Sequence, residues 1–99
     1  MSTQIAISGV SGRMGRALLE AVAADAGCAL CAAIDRPGSP LAGQDAGAAW
    51  GAASGVTVTD QPAVALQGAQ ALIDFTRPDA TFSYLDACAA AGVPLVIGT

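Results

Sequence analysis

Three glycines near the N-terminus have the spacing of a phosphate-binding turn. Gly9, Gly12 and Gly15 follow an apolar run, residues 4–8, and precede a segment with helical periodicity. Because glycine lacks a Cβ atom, the chain can turn sharply out of a strand and a phosphate can approach the backbone closely. The helix that follows would direct its unpaired N–H groups and the positive end of its dipole towards the same point. The pattern predicts the pyrophosphate-binding turn of a dinucleotide site.

The spacing departs from the commoner Gly-x-Gly-x-x-Gly pattern, because Ser11 stands where the second glycine usually falls. A tight turn that binds no ligand is therefore the alternative interpretation. The position of the glycines, after a predicted strand and before a predicted helix, favours the nucleotide site.

An acidic and a basic residue stand side by side after the second predicted strand. Asp35 lies twenty residues beyond Gly15, where folds of this kind place a carboxylate that accepts hydrogen bonds from the adenosine ribose. Arg36 offers the 2′-phosphate of NADP charge-assisted hydrogen bonds worth about 1.5–3 kcal/mol each. The pair predicts that NADH and NADPH are both accepted. A polar turn leading into Pro37 and Gly38 is the alternative.

Two later strands end in residues that could complete such a site. Phe75 and Thr76 could wall the pyrophosphate and nicotinamide-ribose side, whereas Asp74 could simply bond loop backbone. Gly98 and Thr99 follow the fifth predicted strand, and a small residue and a hydroxyl there could approach a nicotinamide. Because the carboxyl ends of parallel strands share one edge of a sheet, all these residues are expected at one cleft.

The composition predicts one packed domain of 99 residues, 54% of them hydrophobic. A net charge of −4 argues against nucleic acid as a partner. No apolar run approaches the roughly 18 residues of a membrane span, and the N-terminus lacks the basic start of a signal peptide. We therefore expect a cytoplasmic protein without a membrane partner.

The few positive charges are placed selectively. The chain has no histidine, and its four cations are all arginines: Arg13, Arg16, Arg36 and Arg77. Each follows the carboxyl end of a predicted strand, which favours an anionic ligand at that edge. For Arg16 alone, a solvated helix position is an equal alternative.

The Cys28-x-x-Cys31 pair predicts neither a redox couple nor a metal site. It lies in a strand-like run, where residues three apart point to opposite faces. No histidine and no second such pair exist to complete a zinc site. We expect buried structural thiols here and at Cys88.

Helical and extended patterns alternate along the chain. Strands are predicted over residues 4–8, 28–34, 56–59, 69–76 and 93–97, and helices over residues 12–25, from 62 towards 68, and from 78 towards 92. The segment 36–55 is predicted as a long loop with a helical turn near 45–49. The alternation predicts an α/β fold: a Rossmann-like, doubly wound parallel sheet of about five strands, in the order 3-2-1-4-5, with helices on both faces.

Apolar residues at helical spacing are expected to face the sheet: Met14, Leu18 and Val22 in the first helix, and Phe82, Leu85 and Ala89 in the last. Gly27 and Gly92 are expected to cap the C-termini of these helices. Asp60 is expected to cap the N-terminus of the middle helix.

Four segments together resemble the bacterial dihydrodipicolinate reductase family: residues 7–15 (ISGVSGRMG), 35–39 (DRPGS), 74–78 (DFTRP) and 96–99 (VIGT). The resemblance covers the whole chain, with the motifs in the same order and spacing. It implies an NADH- or NADPH-dependent reduction of 4-hydroxy-tetrahydrodipicolinate in diaminopimelate and lysine biosynthesis.

The resemblance also implies the residues that bind the cofactor: Gly9, Val10, Ser11, Gly12, Arg13 and Met14 for the pyrophosphate, Asp35 for the adenosine ribose, Arg36 for the 2′-phosphate, and Gly98 and Thr99 for the nicotinamide. The family often has glutamate where this chain has Asp35.

By the same resemblance, residues 1–99 form the NAD(P)-binding domain alone. The family's C-terminal domain carries a His-His…Lys motif, a loop that binds the dicarboxylate substrate, and the sheet that builds a homotetramer. This chain has no histidine to match that motif. We therefore expect no catalytic residue and no metal ligand in it, and no reductase activity from it alone.

Two other classes of function remain as alternatives. A stand-alone NAD(H)-binding sensor would also lack a catalytic acid, but family motifs that extend to Thr99 count against it. A methyltransferase with an adenosyl cofactor shares the glycine-rich turn and the acidic residue after the second strand. It has no use for Arg36 beside that acid.

Overall fold

The computed structural model describes residues 3–50, 54–76 and 78–97. Five strands alternate with three helices in the chain order β1 (Thr3–Ser8), α1 (Arg13–Ala24), β2 (Cys28–Ile34), β3 (Val58–Thr59), α2 (Pro62–Ala65), β4 (Ala71–Asp74), α3 (Pro78–Ala91) and β5 (Leu95–Ile97). A short 3-10 helix, Ala46–Trp50, interrupts the long loop between β2 and β3, as its sequence predicts.

The five strands form one sheet in the order β3-β2-β1-β4-β5, and every pair of neighbours is parallel. The predicted strand order and the Rossmann-like class are thereby confirmed. Ser8, at the end of the central strand, pairs with Ile34 on one side and with Asp74 on the other. The register therefore brings the turns after β1, β2 and β4 to the same edge.

The sheet is covered on both faces, because alternate strand residues point to opposite sides. Ile7 and Ala33 pack on one face with Leu19 and Val22 of α1. On the other face, α2 and α3 cover a second cluster: Ala6, Ala32, Ile34, Leu66, Leu72, Tyr84, Cys88 and Val93. Such double coverage explains why the inner strands are apolar on both sides.

The buried face of α3 differs from the predicted one. Phe82 is 68% exposed, Leu85 is 47% exposed and Ala89 is also exposed. The helix instead turns Thr81, Tyr84 and Cys88 towards the sheet. The reason lies below the helix, where the Thr81 hydroxyl donates a hydrogen bond to the buried Asp74 carboxylate.

The prediction for α1 was partly wrong. Val22 is buried and Leu18 is half-buried, but Met14 is 56% exposed. Gly15 and Leu19 occupy the buried face in its place. Gly15 faces the backbone of Gly9 and Val10 in the turn after β1, and Met14, the neighbouring helical position, therefore faces outwards.

Two of the three predicted helix caps are absent. Helix α1 ends at Asp25, whose N–H donates to the Val22 carbonyl, and Gly27 donates its own N–H to the Asp25 carboxylate. The N-cap of α2 is Gln61 and makes no side-chain capping bond, so Asp60 does not cap it. Gly92 does end α3, with a positive φ of 70° that favours glycine.

The three cysteines are free thiols. Cys28 and Cys31 pack on opposite faces of the sheet, as the strand pattern predicts. Both are half-buried rather than fully buried, whereas Cys88 is buried. In the described ranges, no group of three or more potential metal ligands is close enough to hold an ion.

Asp45 organises the long loop after β2. Its carboxylate accepts hydrogen bonds from the backbone N–H groups of Gly47, Ser54 and Gly55 and from the Ser54 hydroxyl, at 2.7–2.9 Å. These bonds, those from Ser54 foremost, lower the pKa of Asp45 to about 2. The loop is thus folded back on itself and meets β3, where the Gly43 N–H donates to the Val58 carbonyl.

Candidate functional site

The turns after β1, β2 and β4 enclose a cleft of about 540 Å³, a size typical of small-molecule sites. It is lined by Gly9, Ser11, Gly12, Asp35, Arg36, Pro37, Asp60, Pro62, Phe75, Thr76, Ser83 and Tyr84. The cleft lies where the direction of strand order reverses, between β2 on one side of β1 and β4 on the other. Open α/β sheets bind their ligands at this point.

The turn after β1 has the conformation that its glycines predict. Gly9 has a φ of +80°, which L side chains rarely adopt, and its N–H donates to the Ile34 carbonyl at 2.9 Å. Gly12 is the N-cap of α1 and closes the turn through a 3.1 Å bond from its N–H to the Gly9 carbonyl. The backbone N–H groups of the first turn of α1 have no intrahelical acceptor, so they are available to an anion.

The third glycine serves packing. A Cβ atom at Gly15 would lie 2.1 Å from the carbonyl oxygen of Gly9, closer than atoms can approach. Glycine at this position therefore lets α1 rest directly on the turn. The start of the helix is thereby held beside the cleft.

Asp35 is 4% exposed and reaches the cleft from the end of β2. Its own N–H donates to the Thr59 carbonyl at 3.0 Å, which anchors it to β3. The carboxylate accepts hydrogen bonds from two hydroxyls: Ser11 Oγ reaches Oδ1 at 3.1 Å, and Ser39 Oγ reaches Oδ2. The acid is thus held in one orientation at the wall of the cleft.

Arg36 lies at the mouth of the cleft with its side chain 64% exposed. Its Nη1 atom is 3.8 Å from Asp35 Oδ2 and donates a 3.1 Å hydrogen bond to Ser11 Oγ. The predicted acid–base pair is therefore a real cluster, and the structure adds Ser11 and Ser39 to it.

Asp74 is fully buried behind the cleft. It accepts hydrogen bonds from the Ser8 hydroxyl at 2.7 Å, from the Thr76 N–H and hydroxyl at 3.0 and 2.6 Å, and from the Thr81 hydroxyl at 2.5 Å. Burial alone raises the pKa of Asp74, but the hydrogen bonds outweigh that effect and lower it below its usual value. Asp74 thus fixes the turn of Phe75 and Thr76, and it does bond loop backbone.

Tyr84 of α3 forms part of the cleft wall. It is 5% exposed, and burial, followed by the charges of Asp35 and Asp74, raises its pKa to about 12. The tyrosine therefore stays neutral at physiological pH. Sequence analysis missed it, although its spacing of three residues from Thr81 places both on one face of α3.

The remaining residues of the predicted phosphate segment do not line the cleft. Val10 is 1% exposed and packs in the core beside Leu19. Arg13 and Met14 are exposed at the start of α1. Arg77, Gly98 and Thr99 lie outside the described residues, so the contacts predicted for them stay predictions.

The sheet order, the glycine turn and the acid after β2 together define the class of Rossmann-like dinucleotide-binding domains. A family model described as "Dihydrodipicolinate reductase, N-terminus" matches residues 3–99. The chain belongs to this family.

Relatives of known name agree with that family. A 4-hydroxy-tetrahydrodipicolinate reductase of Thiobacillus denitrificans is 78% identical over 99 residues, which is all of this chain and 37% of the relative. A protein of the same name from Bordetella parapertussis is 56% identical over 96 residues, which is 97% of this chain and 35% of that one. The chain thus spans little more than a third of the length of these relatives.

Solved structures share the fold. A dipicolinate-bound dihydrodipicolinate reductase from Paenisporosarcina sp. TG-14 superposes with a TM-score of 0.78 at 24% identity, covering 100% of this chain and 38% of that one. An amine dehydrogenase from Mycobacterium smegmatis has the same TM-score at 27% identity, covering 98% and 30%. None of the helices in the described ranges is long and apolar enough to span a membrane.

Proposed function

We propose that this chain is the cofactor-binding domain of a 4-hydroxy-tetrahydrodipicolinate reductase and holds NADH or NADPH in the cleft. The observation that carries the proposal is the Asp35–Arg36 pair, which faces the same 540 Å³ cleft as Gly9 and Gly12. A carboxylate and a guanidinium at that position suit a ribose diol and a 2′-phosphate respectively. The relatives are named 4-hydroxy-tetrahydrodipicolinate reductases, which supports this reaction as the proposed one.

The cofactor would lie along the cleft from the acid cluster to the turn after β4. Its pyrophosphate would rest on the turn of Gly9, Ser11 and Gly12, which lines the cleft, and meet the first-turn N–H groups of Arg13 and Met14. Phe75 and Thr76 would wall the nicotinamide-ribose side. Gly98 and Thr99 are assigned to the nicotinamide by family resemblance alone. The nicotinamide supplies the hydride when bound, and the residues of this chain bind and orient it.

The substrate and the assembly are part of the same proposal. We assign the dicarboxylate substrate, and the groups that donate its proton, to the part of the relatives' length that this chain does not match. Residues 1–99 then act as one cofactor domain within a homotetrameric enzyme of the cytoplasm. A stand-alone NAD(H) sensor is not proposed, because the named relatives are reductases.

Binding titrations test the proposal directly. The purified chain is titrated with NADH, NADPH and S-adenosylmethionine, followed by nicotinamide fluorescence and by calorimetry. We expect saturable binding of both nicotinamide nucleotides and none of S-adenosylmethionine. Binding of S-adenosylmethionine alone, or of none of the three, would overturn the assignment.

A further inference from the structure

We propose that Ser11 is a specificity-determining residue, whose hydroxyl sets how tightly the cleft binds NADPH relative to NADH. The inference rests on the proposed function and deepens it, because the glycine-turn pattern assigns position 11 to the pyrophosphate alone. In the structure, the Ser11 hydroxyl instead makes hydrogen bonds to both members of the acid–base pair, Asp35 and Arg36.

The Ser11 hydroxyl makes a hydrogen bond to each of two charged neighbours. A serine hydroxyl can donate one hydrogen bond and accept two. Here it donates to Asp35 Oδ1 at 3.1 Å and accepts from Arg36 Nη1 at 3.1 Å. One uncharged group thus links the acid that would bind the ribose diol to the base that would bind the 2′-phosphate.

The link matters most for Arg36. Its guanidinium is exposed and is 3.8 Å from the Asp35 carboxylate, too far for a hydrogen bond. Within the described ranges, the bond to Ser11 is the one hydrogen bond that orients the guanidinium. A long side chain that is oriented in advance loses less conformational entropy when a phosphate binds. Ser11 therefore prepares Arg36 for the 2′-phosphate.

The Ser11 hydroxyl also reduces the electrostatic repulsion between the Asp35 carboxylate and the 2′-phosphate. An unpaired carboxylate beside the 2′-position would repel a second negative group. Ser11 and Ser39 each donate a hydrogen bond to one of its oxygens, so its charge is partly compensated. The Ser39 hydroxyl makes no hydrogen bond to the Arg36 guanidinium, so a variant that removes it separates the compensation of Asp35 from the orientation of Arg36.

The test compares Ser11→Ala with Ser39→Ala. The dissociation constants of NADPH and NADH are measured for each variant, together with those of 2′,5′-ADP and ADP. For Ser11→Ala we expect NADPH and 2′,5′-ADP to bind about tenfold more weakly, the effect of one hydrogen bond to a charged group, and NADH and ADP to change less than about twofold. Ser39→Ala removes one donor from Asp35 but leaves the bond between Ser11 and Arg36 in place, so we expect its preference for NADPH over NADH to fall by less than about twofold. An equal fall in Ser11→Ala and Ser39→Ala would contradict the orientation of Arg36 by Ser11.

Two further variants of Ser11 test whether the hydroxyl itself sets the preference for NADPH. Ser11→Gly places a glycine at the second position of the commoner pattern and should lower the NADPH/NADH preference as Ser11→Ala does. Ser11→Thr keeps the hydroxyl and should preserve the preference. An unchanged ratio in Ser11→Ala and Ser11→Gly, or an equal loss of both nucleotides, overturns the specificity role while the proposed function stands. If the unaltered chain binds neither nucleotide, the proposed function fails and the role of Ser11 fails with it.

Discussion

The carbonyl oxygen of Gly9 occupies the space that a Cβ atom of Gly15 would need, at a separation of 2.1 Å. The two glycines are six residues apart and have different structural roles. Gly9 adopts a positive φ that shapes the turn, whereas Gly15 lets helix α1 touch that turn through backbone alone. The first turn of α1 is close to the cleft because of this contact.

Substitution of Gly15 tests the contact. Gly15→Ala forces α1 away from the turn, and overpacking of this kind costs about 1–3 kcal/mol of unfolding free energy or more. We expect urea denaturation to show that loss and nucleotide binding to weaken with it. Gly12→Ala is the control: its Cβ would lie 3.5 Å from the Gly9 carbonyl, an ordinary contact, so the cost should stay below about 1 kcal/mol. Equal stability losses in the two variants would contradict the packing role of Gly15.

The buried Asp74 carboxylate should be a principal source of stability. Asp74→Ala leaves the Ser8, Thr76 and Thr81 hydroxyls without their acceptor, and each unsatisfied buried group costs about 1–3 kcal/mol. Asp74→Asn keeps the shape and should cost less. Denaturation in urea measures both. A change below about 0.5 kcal/mol for Asp74→Ala would show that the network contributes little.

Acid should destabilise the chain through two of its carboxylates. The pKa of Asp45 is about 2 and that of Asp74 also lies below its ordinary value of 3.8. A group whose pKa is lowered by folding contributes stability above its unfolded pKa and loses it as the pH falls towards the folded one. We expect the unfolding free energy to fall as the pH drops below about 4.

The variant Asp45→Asn isolates the loop carboxylate in that experiment. It should be less stable than the unaltered chain at neutral pH and should lose less stability between about pH 4 and pH 2. Identical pH profiles for the two proteins would show that the hydrogen bonds to Ser54 and Gly47 do not stabilise the charged form.

Cofactor choice should divide between Asp35 and Arg36. Arg36→Ala should weaken NADPH much more than NADH, because only NADPH has a 2′-phosphate for the guanidinium. Asp35→Ala should weaken NADH more, because the ribose diol loses its acceptor. Titrations of each variant with both nucleotides measure the effect. Equal losses for both nucleotides in Arg36→Ala would contradict the assignment of the phosphate site.

The 99-residue chain should not reduce 4-hydroxy-tetrahydrodipicolinate by itself. Hydride transfer needs the substrate held against the nicotinamide and a proton supplied to it. The His-His…Lys motif that the family resemblance assigns to these tasks has no match in residues 1–99. Oxidation of NADPH in the presence of substrate, followed by absorbance, should match the rate without protein. Turnover by the chain would show that its own residues perform the chemistry.

The amino-acid sequence by itself determined the elements and their order. Turn glycines, apolar strand runs and helical periodicity are local signals, and strand–helix alternation leaves few topologies for a parallel sheet. For the same reason, the sequence could predict that Gly9, Asp35 and Phe75 would meet at one edge of the sheet. In a parallel sheet, the carboxyl ends of all strands lie at the same edge.

The tertiary structure decided which side chains form the site and how they are linked. Helix α3 carries apolar residues on more than one face, so its periodicity did not choose between Phe82 and Tyr84. The choice depended on Asp74, a carboxylate that is buried at the end of β4 and needs the hydroxyl of Thr81. Ser39 reaches Asp35 through the turn that its N–H closes on the Arg36 carbonyl, and Ser11 reaches the same carboxylate from the turn after β1. A buried carboxylate needs hydrogen-bond donors. Which carboxylates are buried depends on how the whole chain packs, and a local sequence pattern does not contain that information.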